Sequence, residues 1–112
     1  MFFPEKYNIY LRPGITDMRK SINTLAVVVK NSMQQKADSG DIYMFCNRRH
    51  DIIKILYWHK NGFCLWQKRL EKHKFPWPKD GEDTRTLQKE ELEMLLSGIN
   101  FFNAHEELFY GT

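Results

Sequence analysis

From Tyr7 to Arg12 (YNIYLR) apolar and polar residues alternate, the period of a strand with one buried face. Pro13-Gly14 then stops it. Beyond that stop the period lengthens. Met18, Ile22, Leu25, Ala26, Val29 and Met33 fall on one stripe, which predicts a helix over about 17–35. Thr16 is placed to cap its start, and Asp17 in the first turn suits the positive end of the helix dipole. The run Val27-Val28-Val29 opposes helix locally, but the stripe outweighs it. Residues 36–40 read as a polar loop.

Three strand-like runs follow, at 42–47 (IYMFCN), 52–59 (IIKILYWH) and 63–69 (FCLWQKR), all rich in β-branched and aromatic residues. Arg48 to Asp51 separates the first two, and Lys60-Asn61-Gly62 the last two. Asn61-Gly62 is a strong hairpin signal because both residues tolerate positive φ. A turn on those two would set Trp58 opposite Leu65, Tyr57 opposite Trp66, and His59 beside Cys64. One face of the hairpin then carries Ile53, Ile55, Tyr57, Trp66 and Lys68, and the other Lys54, Leu56, Trp58, Leu65 and Arg69. Neither face is cleanly polar. One is therefore expected to pack on the long helix, and the other to be partly covered or used for binding.

Phe75-Pro76-Trp77-Pro78 cannot be an interior strand, because two prolines remove ladder donors. A charged turn follows at 79–83. Leu87, Leu92, Leu95, Leu96 and Ile99 then mark a second helix over about 89–97, with Gly98 as its C-terminal cap. The pattern predicts an α+β fold: an antiparallel sheet of about four strands in β-α-β-β-β-α order, with the long helix packed on one face. All 112 residues form a single domain on this reading. Phe101, Phe102, Leu108, Phe109 and Tyr110 form an aromatic tail at 101–112, in which Asn103 could cap a last short helix.

Charge changes the picture. Residues 48–79 hold nine cations (Arg48, Arg49, Lys54, Lys60, Lys68, Arg69, Lys72, Lys74, Lys79) against Asp51 and Glu71, a net +7. The preceding residues carry +2 and the following ones −6, so the chain's total of +3 conceals a basic middle. All three tryptophans lie in that segment. Cations interleaved with flat rings suit nucleic acid. Arg48-Arg49-His50 at a hairpin tip reads as a phosphate clamp, against the plainer reading of a solvated turn. Lys68, Arg69, Lys72, His73 and Lys74 read as a ridge beside it, with Lys54 on the hairpin between them. Arg19 and Lys20 could join the patch or simply pair with nearby acids. Trp58 and Trp66, mid-strand, suit the core. Trp77, between prolines, could be a core anchor or a stacking surface.

Other chemistries find little support. His50, His59, His73 and His105 do not form a metal set, and Cys46 and Cys64 lack ligand spacing, so no metal or other cofactor is expected. The cysteines suit free thiols in a reducing cytoplasm. A two-metal nuclease needs converging carboxylates, whereas the acids here crowd the C-terminal part. No Gly-rich phosphate loop or Cys-His nucleophile pattern appears, so the protein is not expected to be an enzyme. No apolar run approaches the roughly 18 residues of a membrane span. The start, MFFPEKYN, lacks the pattern of a secretory signal, and a cytoplasmic protein is expected.

Three stretches carry a family likeness: TDMRKSINTLA at 16–26, FCNRRHDIIKILYWHKNGFCLWQKRLEKHKFPWP at 45–78, and LQKEELEMLLSGI at 87–99. Together they resemble the TnpB-type accessory protein, the second open reading frame, of the IS sixty-six family of bacterial insertion sequences. The likeness spans about residues 7–100. It implies a protein encoded beside a transposase and needed for efficient transposition, and it offers no catalytic motif to carry over. Three positions depart from the family pattern. Gly is common where Ser21 and His50 stand, and Ser or Thr often stands at Gln88, so a weaker cap is expected there.

The resemblance and the charge pattern together lead to a non-catalytic, DNA-binding transposition accessory protein. Arg48, Arg49, Lys54, Lys68, Arg69, Lys72 and Lys74 would meet phosphates, and Trp77 would stack on a base. The alternative is an assembly factor that docks on the transposase through the aromatic tail and the Leu92/Leu96 helix without touching DNA. The same tail could instead close the open end of the core within the molecule, or serve a homodimer.

Overall fold

The computed structural model describes residues 6–99 of the chain. Its elements run β1 (Ile9–Leu11), α1 (Ile22–Met33), β2 (Ile42–Cys46), β3 (Ile52–His59), β4 (Gly62–Arg69), β5 (Arg85–Leu87) and α2 (Lys89–Leu96). The aromatic tail at 101–112 lies outside the described residues, whereas Leu92 and Leu96, the other residues expected to dock, lie in α2 in and against the core.

The fold is α+β, but the sheet is mixed and has five strands, in the order β4-β3-β2-β1-β5. This corrects the expected four-stranded antiparallel sheet in two places. The chain leaves β1, returns along α1 and re-enters at the same end, so β1 and β2 pair in parallel, with Ile9 opposite Ile42 and Leu11 opposite Met44. The fifth strand, β5, pairs antiparallel with β1, setting Leu87 opposite Ile9. The β2–β3–β4 part is antiparallel throughout, as expected.

Helix α1 starts later than its apolar stripe suggested. Ser21, not Thr16, is the N-cap, and its hydroxyl accepts the Thr24 N–H at 3.3 Å. Thr16 is already engaged: its N–H donates to the Cys46 carbonyl at 2.8 Å, and its hydroxyl accepts from the Arg12 guanidinium at 2.8 Å. The helix ends where Gln34 turns left-handed, at φ 54°. In α2, Glu91 accepts the Gln88 N–H at 2.8 Å, so half of a capping box supports the end that lacks Ser or Thr.

The sheet is covered on both faces, which explains the apolar residues on both sides of the hairpin. Leu25, Val29 and Met33 of α1 pack on Tyr43, Phe45 and Leu56. On the other face, Leu92 and Leu95 of α2 and the segment carrying Phe75 and Trp77 pack on Ile9, Met44, Ile55 and their neighbours. Burying each such aliphatic side chain contributes about 1.5–3 kcal/mol. Trp77 fixes the irregular segment further, since its indole N–H donates to the Arg12 carbonyl at 2.9 Å. Gly14 closes that junction. It takes φ 80°, its N–H donates to the Pro78 carbonyl at 3.0 Å, and a Cβ there would come within 2.7 Å of the Asp80 carboxylate.

The β3–β4 hairpin turns on Lys60-Asn61 rather than Asn61-Gly62. His59 faces Gly62, Trp58 faces Phe63, and Tyr57 rather than His59 faces Cys64. Lys60 takes the left-handed conformation, φ 56°. The shift moves the register by two residues, so every side chain keeps its expected face. Trp66 is half-buried against the α2-side core. Trp58 is half-buried at the hairpin end, edge-on to Phe63 at 5.0 Å.

Candidate nucleic-acid interface

The β2–β3 turn is built around Asn47. Its side-chain carbonyl accepts the N–H groups of Asp51 and Ile52, both at 3.0 Å, and its amide donates to the Asp51 carboxylate at 2.6 Å. The His50 N–H closes the turn on the Asn47 carbonyl at 3.1 Å, with His50 left-handed at φ 59°. The tip's acid is thus tied to its own turn, while Arg48 and Arg49 project as exposed side chains. Neither arginine forms an ion pair with a described residue.

Two backbone hydrogen bonds join this tip to the segment after β4. Leu70 N–H donates to the Asp51 carbonyl at 2.7 Å, and Phe75 N–H donates to the His50 carbonyl at 2.6 Å. The exposed Lys72, His73 and Lys74 lie in the span between those anchors, and Arg69 ends β4 opposite Ile52. The tip and the ridge, separate in sequence, therefore share one end of the sheet. Arg69 also pairs with one oxygen of Glu71 at 3.2 Å, an exposed bridge that contributes little to stability.

Three expected contacts are placed differently. The Lys54 ammonium is part-buried and donates to the Met18 carbonyl at 2.7 Å. The Lys68 ammonium donates to the Leu96 carbonyl at 2.7 Å, at the C-terminal end of α2, where the dipole favours a cation. Trp77 is 9% exposed, with its N–H satisfied internally, so it offers no ring face for stacking and serves as the core anchor. Each of these residues has an inward task that periodicity and charge counting do not reveal.

The same end holds a feature the sequence did not announce. A cleft of about 440 Å³ opens between residues 15–19 and the β2–β3 turn, lined by Ile15, Met18, Arg19, Arg48, Arg49 and Ile52 among others. Asp17 grips Arg19 there, accepting Nε at 3.1 Å and Nη2 at 2.8 Å. That hydrogen bonding holds the Asp17 carboxyl at about 2, below its usual 3.8. The only sequence signal was the cationic pair Arg19-Lys20 beside an acid. A larger cleft, about 570 Å³, lies at the opposite end between residues 6–9, Asp41 and residues 86–89, with Lys6 and Lys89 as its cations.

The protein is thus a small α+β domain with arginines and lysines clustered at one end of its sheet. Residues 7–106 match the family model described as IS66 Orf2 like protein, and the chain belongs to that family. It is 28% identical over 102 residues to the uncharacterized protein y4hO of Sinorhizobium fredii, spanning 91% of this chain and 89% of the relative. To y4jC of the same strain, also uncharacterized, it is 29% identical over 85 residues, 76% and 73% of the two chains. No solved structure matches. Membership implies an accessory role in the transposition of IS66 elements.

Proposed function

We propose that the protein serves transposition by holding DNA, with Arg48 and Arg49 as a phosphate clamp and Arg69, Lys72 and Lys74 as a second row. The observation that carries this is the joining of the tip to the 70–75 segment through His50 and Asp51. It sets five cations along one edge while the adjacent Asp51 is held by Asn47. Arginine forks suit phosphate oxygens, and such contacts position a duplex without reading its sequence.

The test is a mobility shift with salt titration on the element's terminal repeats and on random DNA, with and without the transposase. Neutralising about 5 phosphates gives a log–log salt slope near −4.5 on duplex DNA. Arg48→Glu with Arg49→Glu should abolish the shift. A folded protein that binds no DNA at low salt, yet joins the transposase–DNA complex, would favour docking on the transposase instead.

A further inference from the structure

Phosphate binding accounts for Arg48 and Arg49 but not for the cleft beside them. Phosphate sites are polar, yet this one exposes Ile15, 42% accessible, together with Met18 and Ile52. Arg19 is also less available to a phosphate than Arg48 and Arg49. Asp17 accepts three hydrogen bonds from its guanidinium, at 3.1, 3.2 and 2.8 Å, and a fourth from its backbone N–H at 2.9 Å. The charge is paired along the Nε and Nη2 edge, while the side chain remains 91% exposed. What Arg19 offers is a flat guanidinium on the cleft wall, with one edge turned to Asp17. Such a plane stacks on rings, and unpaired bases are held on guanidinium planes and apolar side chains.

We propose that the cleft between residues 15–19 and the β2–β3 turn receives an unpaired nucleobase, stacked on Arg19 and resting on Ile15, while Arg48 and Arg49 hold the flanking phosphates. This rests on the DNA-binding reading and specifies its ligand: DNA with a single-stranded segment, such as a strand end, rather than closed duplex. The cleft's volume of about 440 Å³ lies within the range of small-ligand sites. Charge complementarity fixes the occupant, since an apolar floor rimmed by two arginines that pair with no described acid matches a ring joined to a phosphate.

The test compares four fluorescent DNAs by anisotropy at matched salt: blunt duplex, duplex with a short overhang, the same overhang made of abasic units, and a free single strand. The abasic overhang keeps the phosphates and removes the rings. The expected result is about tenfold tighter binding to the normal overhang than to the abasic one, the scale of one stacked base. Arg19→Lys, which keeps the charge and loses the plane, should erase that difference while leaving blunt-duplex affinity as it was. Equal binding to normal and abasic overhangs overturns the base site and leaves the phosphate clamp standing. Absence of salt-sensitive binding to all four overturns both. A thermal melt of the Arg19→Lys protein confirms that any loss is local.

Discussion

Asn47 donates to the Asp51 carboxylate at 2.6 Å while its own carbonyl accepts two backbone N–H groups from the far side of the turn. One side chain thereby shapes the tip and ties down its acid. Asn47→Ala should cost about 1–3 kcal/mol, since two partly buried N–H groups lose their acceptor. Urea unfolding measures this directly. The variant should also bind DNA more weakly than its stability loss explains, because the turn that aims Arg48 and Arg49 is no longer fixed.

The exposed and the inward cations should separate cleanly. Arg48→Glu with Arg49→Glu removes no ion pair with a described residue, so stability should stay within about 0.5 kcal/mol of the parent. Lys68→Ala does the reverse. It deletes the 2.7 Å bond to the Leu96 carbonyl and the cation at the end of α2, and should cost about 1 kcal/mol. If Lys68→Ala weakens DNA binding as strongly as the tip reversal with no loss of stability, Lys68 belongs to the interface.

Much of this was legible in local pattern. The three strands of the β2–β3–β4 part, the stripe of Leu25, Val29 and Met33, and the second helix were all readable because each repeats its own period over many residues. The parts that escaped depend on partners distant in sequence. Strand β5 has three residues, too few to show a period, and exists because β1 offers it a free edge. Thr16 has cap chemistry, but Arg12 and Cys46 claim it first. The turn at Lys60-Asn61 was missed because Asn-Gly is the better two-residue turn by composition, while strand pairing chose the register. Charge singled out the segment that carries the candidate site. It did not distinguish Lys54 and Lys68, which point to carbonyls, from Arg48 and Arg49, which do not.

His50 carries a Cβ in the left-handed region, at φ 59°, where glycine is at ease. His50→Gly should therefore stabilise the protein by about 1 kcal/mol, raising the midpoint of chemical denaturation. The Phe75 bond to the residue-50 carbonyl is a backbone contact and survives the change. Duplex binding should be unaltered. A loss of stability would instead mean that the imidazole makes a compensating contact.

The thiols should behave as two different groups. Cys46 is fully buried in β2, and burial pushes its thiol from 9.0 up to about 12. Cys64 is partly exposed. A maleimide should therefore label the folded protein at Cys64 alone, and reach Cys46 only after denaturation. The raised value also sets the response to alkali. Above pH 9 the unfolded chain gives up the Cys46 proton and the folded one keeps it, so the folded state binds more protons and loses stability as pH rises. The loss should run at about 1.4 kcal/mol per pH unit between roughly 9 and 12 for this one group. Tyr43 and Tyr57, also raised chiefly by burial, add to it in the same direction above pH 10. Below pH 9 the thiol is protonated in both states and contributes no slope. Cys46→Ala should lower stability at pH 7 through the cavity it leaves, yet flatten the alkaline decline. Urea midpoints at pH 7, 9 and 10 measure both effects, and an unchanged decline in Cys46→Ala would assign the alkaline loss to the tyrosines.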